Sequence, residues 1–301
     1  MVEEWVSKKE AHVVYALAPG EYILHEEQAP TEQGYVRAED VKFVVEETGD
    51  VQKVKMEDDH TKVSISKTDI TDGKEIEGAK LQILDQDGEV VESWTTGEEH
   101  LIEYLPVGTY TLHEEAAVDG YIVANDVEFT VEETGEIQKV KMEDERAMGQ
   151  LVIVKTDTDS KAALEGVEFV LLEKETGKEV GRLKTGKDGK AVSELLPIGT
   201  YENGVFKEPI TYVLKETATL KGYEKTEEEW EIVFTYQNDK TPVIEVVKEI
   251  QNKKIPETPG TVKPGPKTGD DTNWFLPLLA LGVSAGMVAG LLYYRKRHKK
   301  A

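Results

Sequence analysis

The stretch Leu105–Tyr121, LPVGTYTLHEEAAVDGY, decides the fold, because relatives of it begin at Leu17 (LAPGEYILHEE) and at Ile210 (ITYVLKET). Side chains of a β-strand point alternately to opposite faces, so Tyr110, Leu112 and Glu114 are predicted to share one face. Glu114 therefore points where the apolar side chains point. An unpaired carboxylate in a core is costly, so we expect partners for it inside the fold.

The other two copies carry a glutamate at the same place. The alternation puts Glu26 on the face of Tyr22 and Leu24, and it puts Glu216 on the face of Tyr212 and Leu214. A carboxylate that faces a core three times over indicates a functional requirement.

Longer repeats surround these stretches. VEETG recurs at Val45 and Val131, and QKVKMED recurs at Gln52 and Gln138, in both cases 86 residues apart. This period suits an array of small domains. We predict modules at residues 1–60, 61–148 and 149–253, called here the first, second and third repeats. The first repeat has no counterpart of residues 61 to roughly 88, and no signal peptide precedes it. We therefore expect either a truncated gene or an internal methionine taken as the start.

Period-two alternation and regular turns predict an all-β fold. Short strands at close spacing indicate tandem antiparallel Greek-key β-sandwiches, since parallel strands would need helical crossovers and no helical period appears. The final strand of the third repeat is irregular, because Lys248 falls on the face of Ile250 and Asn252. A β-bulge would explain this irregularity.

Composition excludes several classes of function. The 301 residues carry a formal net charge of −24, which argues against nucleic acid as a partner. The absence of cysteine excludes disulfides and thiolate chemistry. No hydrolase triad, phosphate loop or metal-ligand cluster is visible, so we predict no metal, no cofactor and no enzyme activity beyond a single-turnover self-crosslinking.

Residues 254–301 have the features of a membrane anchor. Residues 254–270 form a proline-rich linker, and residues 271–301 hold an apolar run of 21 residues, Trp274–Tyr294, followed by the basic sequence RKRHKK. A run of this length predicts one transmembrane helix, with the basic tail in the cytoplasm and the repeats outside the cell.

Three polar residues of the second repeat are predicted to meet in its core: Lys67, Glu114 and Asp144. Burial makes the neutral forms of an amine and a carboxyl accessible. A neutral Lys67 amine can then attack the Asp144 carboxyl while Glu114 carries protons, which forms an isopeptide bond and releases water. The alternative is that the lysines extend to water and pair loosely with the carboxylates.

The other repeats carry related sets. In the third repeat the matching residues are Lys155, Glu216 and Asn252, and bond formation there would release ammonia. The first repeat keeps Glu26 and Asp58 but has no lysine strand, so no bond is expected within it.

The runs VSISKTD, LPVGTYTLHEEAAVDGY and KVKMED resemble the Cna B-type domain of Gram-positive surface proteins and pilins, also called the SpaA-type or prealbumin-like domain. The resemblance covers essentially residues 1–253. It implies prealbumin-like sandwiches, with the matching Lys, Glu and Asp or Asn residues joined in a self-catalysed isopeptide bond. The family's characteristic box reads Tyr, x, Leu, x, Glu, Thr, x, Ala, Pro, x, Gly, Tyr. Val118 and Leu220 stand at its proline position, which Pro30 keeps in the first repeat.

The motif GPKTG resembles the sortase sorting signal LPxTG, with Gly265 in place of the leucine. Its matching positions are Pro266, Lys267, Thr268 and Gly269. This resemblance implies cleavage after Thr268 by sortase, attachment to the peptidoglycan cross-bridge, and a membrane-held precursor before sorting.

We therefore expect an extracellular, cell-wall-anchored protein whose repeats form the stalk of an adhesin or pilin-like protein. One alternative is that the repeats themselves bind a host extracellular-matrix or cell-surface ligand, such as collagen. Another is that they are the pedestal of a surface enzyme whose catalytic domain lies outside this sequence.

Overall fold

β-Strands make up nearly all the regular structure of residues 1–256, the part of the chain that this computed structural model describes. The predicted all-β class is confirmed. The predicted membrane helix, and all but the first three residues of the predicted linker, lie outside the described residues. Up to residue 256, the structure contains no helix with the length and apolar character needed to span a bilayer.

The first repeat has short strands and little core. Its elements are β1 Gly20–Leu24, a 3-10 helix Thr31–Gln33, β2 Tyr35–Val36, β3 Val41–Val45 and β4 Asp59–His60. β1 pairs with β3, and β2 pairs with β4, both antiparallel. Ala29 and Val36 are the only buried apolar side chains among residues 1–60. No second sheet covers the β1–β3 pair within this repeat.

The second repeat contains two four-stranded sheets. Its strands are β5 Lys62–Asp69, β6 Lys80–Leu84, β7 Val90–Thr95, β8 His100–Glu103, β9 Gly108–Ala116, β10 Tyr121–Ile122, β11 Val127–Val131 and β12 Ile137–Arg146. One sheet has the order β10-β12-β5-β8, and the other has the order β11-β9-β6-β7. The core lies between them, with Ile65 and Met142 from the first sheet and Leu81 and Leu112 from the second.

The third repeat follows the same plan with longer loops. Its strands are β13 Met148–Asp157, β14 Glu168–Glu173, β15 Glu179–Lys184, β16 Lys190–Val192, β17 Leu196–Pro197, β18 Gly199–Glu202, β19 Val205–Pro209, β20 Thr211–Ala218, β21 Glu229–Val233 and β22 Val243–Asn252. One sheet has the order β15-β14-β20-β21, and another contains β16, β13, β17 and β22. Only Ala147 separates β12 from β13, so the last strand of one repeat runs almost directly into the first strand of the next.

The prediction of purely antiparallel sheets is wrong at one place in each of the last two repeats. β12 runs parallel to β5, and β22 runs parallel to β13. No helical crossover is needed, because the chain between the two strands builds the rest of both sheets before it returns. The first and last strands of each repeat are therefore direct neighbours.

The predicted bulge in β22 is also wrong. The register between β13 and β22 continues without a shift from Met148↔Val243 to Asp157↔Asn252. Lys248 does lie on the inward face, where it is half-buried, and its Nζ lies 5.9 Å from the centroid of the Trp230 ring. An amphipathic lysine thus keeps the alternation by covering an aromatic face.

The contact between the second and third repeats is built around Tyr201. This residue lies on the hairpin β18–β19, whose Asn203-Gly204 turn has positive φ at both residues, as a two-residue type I′ turn requires. The Tyr201 hydroxyl donates to the Gly120 carbonyl at 2.8 Å, and the Arg146 guanidinium lies 4.1 Å from its ring centroid. Tyr121 packs edge-on against the same ring at 5.2 Å.

The contact between the first and second repeats has the same plan with different residues. Tyr35 packs edge-on against Tyr104 at 5.4 Å, and His60 stacks on Tyr104 at 4.1 Å. His60 lies two residues after Asp58 as Arg146 lies two residues after Asp144, and Tyr35 and Tyr121 both follow the glycine that closes the repeated stretch. Each contact therefore inserts one tyrosine of the following repeat between two matching side chains of the preceding one.

Candidate functional site

The second repeat brings its three predicted residues together inside the core. Lys67 lies on β5, Glu114 on β9 and Asp144 on β12, and all three are at most 2% exposed. The Lys67 Nζ donates a hydrogen bond to Asp144 Oδ1 and lies 2.9 Å from Glu114 Oε2. Because β5 and β12 are parallel neighbours, Lys67 and Asp144 lie side by side on the inward face of one sheet. Glu114 approaches them from β9 in the other sheet, so the amine contacts both carboxyls.

Glu114 is held by the backbone, and the cluster leaves two oxygens without donors. The Ala124 backbone N–H donates to Glu114 Oε2 at 2.6 Å. Glu114 Oε1 and Asp144 Oδ2 are buried and accept no hydrogen bond from any described residue. A proton shared between the two carboxyls would give both oxygens a partner.

The electrostatics of the second repeat favour a neutral Asp144. Burial raises the pKa of Asp144 to about 7, and the neighbouring Glu114 adds to this rise while Lys67 opposes it. A protonated carboxyl is a better target for an amine than a carboxylate is, because it carries no negative charge. The Asp144 carboxyl is thus partly protonated near neutral pH.

The third repeat holds Lys155, Glu216 and Asn252 in the same arrangement. Lys155 is fully buried, and its Nζ donates to Asn252 Oδ1 at 2.5 Å and lies 3.5 Å from Glu216 Oε2. The Asn252 Nδ2 donates to Glu216 Oε1 at 2.7 Å. Burial lowers the pKa of Lys155, although Glu216 opposes the shift. A neutral amine is thus more accessible here than in water.

These geometries contradict the alternative in which the lysines extend to solvent, since Lys67 and Lys155 are 1% and 0% exposed. Each amine lies against a carbonyl oxygen, with a glutamate beside both. This is the arrangement needed for attack by a nitrogen nucleophile with a proton carrier in reach.

The first repeat does not assemble such a set. Glu26 is half-buried and accepts a hydrogen bond from the Ala38 backbone N–H at 2.8 Å, as Glu114 does from Ala124. Asp58 is exposed, and the structure gives no hydrogen bond or ion pair between Asp58 and Glu26 among the described residues. The first repeat thus keeps the backbone contact of its glutamate, but within residues 1–256 no lysine or aspartate side chain forms an ion pair or hydrogen bond with that glutamate.

Sequence reasoning missed two groups of residues near these clusters. The Asn252 Nδ2 also donates to Thr219 Oγ1 at 2.8 Å. In the second repeat, Tyr121 and Arg146 both donate to the fully buried Asp69 Oδ2. The signal for Thr219 was present, because the repeated box has alanine at this position in the other two copies, as Ala29 and Ala117.

The comparison with protein families agrees with this fold. The family model of the SpaA prealbumin-like fold domain matches residues 1–60, 61–146 and 149–209. The chain belongs to this family. The predicted resemblance is thus confirmed for the SpaA domains. The predicted sorting motif, Pro266, Lys267, Thr268 and Gly269, lies outside the described residues.

Several solved structures are similar to the SpaA repeats. The TIE protein of Bacillus anthracis matches with 30% identity and a TM-score of 0.51, over 79% of this chain and 43% of that one. This chain therefore spans less than half of that protein's length.

Two pilin structures match more distantly. A streptococcal ancillary pilin has 19% identity and a TM-score of 0.30, over 80% of this chain and 77% of that one. GBS52, a minor pilin of Streptococcus agalactiae, has 20% identity and a TM-score of 0.29, over 68% of this chain and all of that one. Among curated proteins, none matches this sequence.

Proposed function

We propose that this chain is part of the stalk of a Gram-positive surface protein, and that residues 61–148 and 149–253 are domains each closed by a self-formed isopeptide bond. The bonds would join Lys67 to Asp144 and Lys155 to Asn252. One observation carries the proposal: in both repeats a fully buried lysine amine contacts a side-chain carbonyl oxygen next to a buried glutamate.

The reaction balances without a cofactor. The neutral lysine Nζ attacks the side-chain carbonyl carbon, Cγ, of Asp144 or Asn252 and forms a C–N bond. The proton that Nζ loses passes by way of Glu114 or Glu216 to the leaving group. The C–O bond to the acid hydroxyl then breaks and releases water in the second repeat. In the third repeat the Cγ–Nδ2 bond breaks and releases ammonia.

Such bonds would stabilise the repeats by closing long loops. The linked residues are 77 positions apart in the second repeat and 97 apart in the third. The loop-closure relation for a cross-link of this length gives about 4.5 and about 4.7 kcal/mol, through the lost entropy of the unfolded chain. This is a large contribution to a small domain, whose total stability is usually about 5–15 kcal/mol.

The bonds would also define a covalent path for tension. A pull on β5 would cross from Lys67 to Asp144 and leave through Arg146 and Ala147 into β13, where it would cross again from Lys155 to Asn252. The segments between the linked residues would carry no load. A stalk needs this property, because it must hold its distal end away from the cell under force.

We further propose that the stalk is anchored to the wall. The supporting feature is the run of Pro266, Lys267, Thr268 and Gly269 before an apolar segment and a basic tail. Sortase would cut after Thr268 and join it to the peptidoglycan cross-bridge, from a precursor held in the membrane. The mature repeats would then be extracellular.

Single-molecule pulling on the full chain tests the stalk. With its bond intact, the second repeat should not lengthen by unfolding of the segment between Lys67 and Asp144. A Glu114→Gln chain should release these 77 residues, which is ~270 Å at about 3.5 Å per residue. Equal extensions of the two chains would contradict the proposal.

A further inference from the structure

Thr219 and Ala117 occupy the same structural position in the third and second repeats. In both repeats the register of the central strand pair shifts just after the core glutamate. Ala116 faces Lys80 where Glu114 faces Leu81, and Ala218 faces Glu168 where Glu216 faces Phe169. The next residue along the chain is Ala117 in one repeat and Thr219 in the other. The repeat with a hydroxyl has an amide electrophile, and the repeat with a methyl has an acid.

The Thr219 hydroxyl completes the hydrogen bonding of the Asn252 amide. One Nδ2 hydrogen goes to Glu216 Oε1 at 2.7 Å, and the other goes to Thr219 Oγ1 at 2.8 Å. The carbonyl oxygen accepts from Lys155 at 2.5 Å. With both hydrogens accepted, the amide has one favourable orientation. Its carbonyl faces the amine, and its nitrogen faces the proton carrier.

The methyl of Ala117 has the opposite consequence for Asp144. It offers no hydrogen to the carboxyl, and Asp144 Oδ2 is buried without a donor. A hydroxyl at this position could donate to that oxygen. A donated hydrogen bond favours the ionised carboxylate, which resists attack by an amine. The alanine therefore suits an acid electrophile as the threonine suits an amide.

We propose that the residue at this position matches each repeat to its electrophile, with Thr219 as a positioning residue for the Asn252 amide and Ala117 as the partner suited to Asp144. This inference rests on the proposed isopeptide bonds. In the third repeat Lys155 Nζ forms the new bond to Cγ, the Cγ–Nδ2 bond breaks, and Nδ2 leaves as ammonia with the proton delivered by Glu216. Thr219 forms no bond in this step and acts by holding Nδ2 toward Glu216.

The test follows bond formation over time in the full chain. Chains made by cell-free synthesis are sampled and mapped by mass, and the second-repeat bond in each molecule is the internal control. Thr219→Val keeps the shape without the hydroxyl, and Thr219→Ser restores the hydroxyl. Loss of one hydrogen bond of about 1 kcal/mol predicts ammonia release about fivefold slower in Thr219→Val, and near the original rate in Thr219→Ser.

Variants that give one repeat the residues of the other make the test specific. We expect Ala117→Thr to slow water release in the second repeat, and we expect Asn252→Asp to link faster when Thr219→Ala accompanies it than alone. Unchanged rates in Thr219→Val and in Ala117→Thr, with both bonds forming in the parent chain, would overturn this inference and leave the proposed function standing. Absence of both bonds from the parent chain would overturn both.

Discussion

Replacing Glu114 by glutamine should unlink the second repeat with little change of shape. The glutamine carbonyl can still accept the Ala124 N–H, but the amide cannot carry the proton that the reaction moves. The lost cross-link spans 77 residues, so the unfolding free energy should fall by about 4.5 kcal/mol. For a domain of 60–100 residues this lowers the melting temperature by roughly 18–36 °C.

Calorimetry of the full chain, with intact-mass measurement of the same sample, checks this expectation. After the mass change of the substitution itself is subtracted, the variant should be heavier by the water that the parent loses. Its second-repeat transition should move while the third-repeat transition stays. Glu115→Gln is the matched control, because it removes the same charge from an exposed neighbour and should change stability by less than about 0.5 kcal/mol. A Glu114→Gln chain that is unlinked yet melts within a few degrees of the parent would refute the loop-closure reasoning.

Two further predictions concern pH and the contact between repeats. Linking of the second repeat needs both a protonated carboxyl and a neutral amine, and higher pH favours the neutral amine. Because the pKa of Asp144 is raised to about 7, loss of its proton above that pH should offset this gain, so the linking rate should rise up to about pH 7 and then level off. Linking of the third repeat should keep accelerating above pH 7, since its amide does not titrate and the lowered pKa of Lys155 frees the amine as pH rises. Time-resolved mass mapping from pH 5 to 9 reports both rates, and parallel pH profiles would contradict the assignment. At the contact between repeats, a double-mutant cycle of Arg146→Gln and Tyr201→Leu should give a coupling energy of about 0.5–2 kcal/mol for the cation–π pair in calorimetry, whereas additive effects would count against that pair.

The inward direction of the reacting side chains could be predicted from sequence because alternation along a strand is a local property. Val63, Ile65 and Lys67 share a face, and the structure buries all three. The same reasoning holds for Tyr110, Leu112 and Glu114. Lys248 also obeys the alternation, because its half-buried stem lies on the inward face with the amine near the Trp230 ring.

Pairing between distant strands could not be predicted in the same way. The parallel neighbours β5 and β12 depend on how the intervening chain crosses between the sheets, which no local pattern encodes. The contact of Tyr201 with Arg146 depends on a hairpin of the next repeat and is equally non-local. Thr219 differs from these cases, because comparison of the box in the three repeats marks it as a substitution, although only the structure gives its contact with Asn252.

The two cross-links themselves are the most direct test of the account. Peptide mapping of the purified full chain by mass spectrometry, without reduction or chemical cross-linking, should yield one branched peptide joining Lys67 to Asp144 and lighter by one water, and another joining Lys155 to Asn252 and lighter by one ammonia. Recovery of these four residues only in separate linear peptides, with no loss of water or ammonia, would contradict the account.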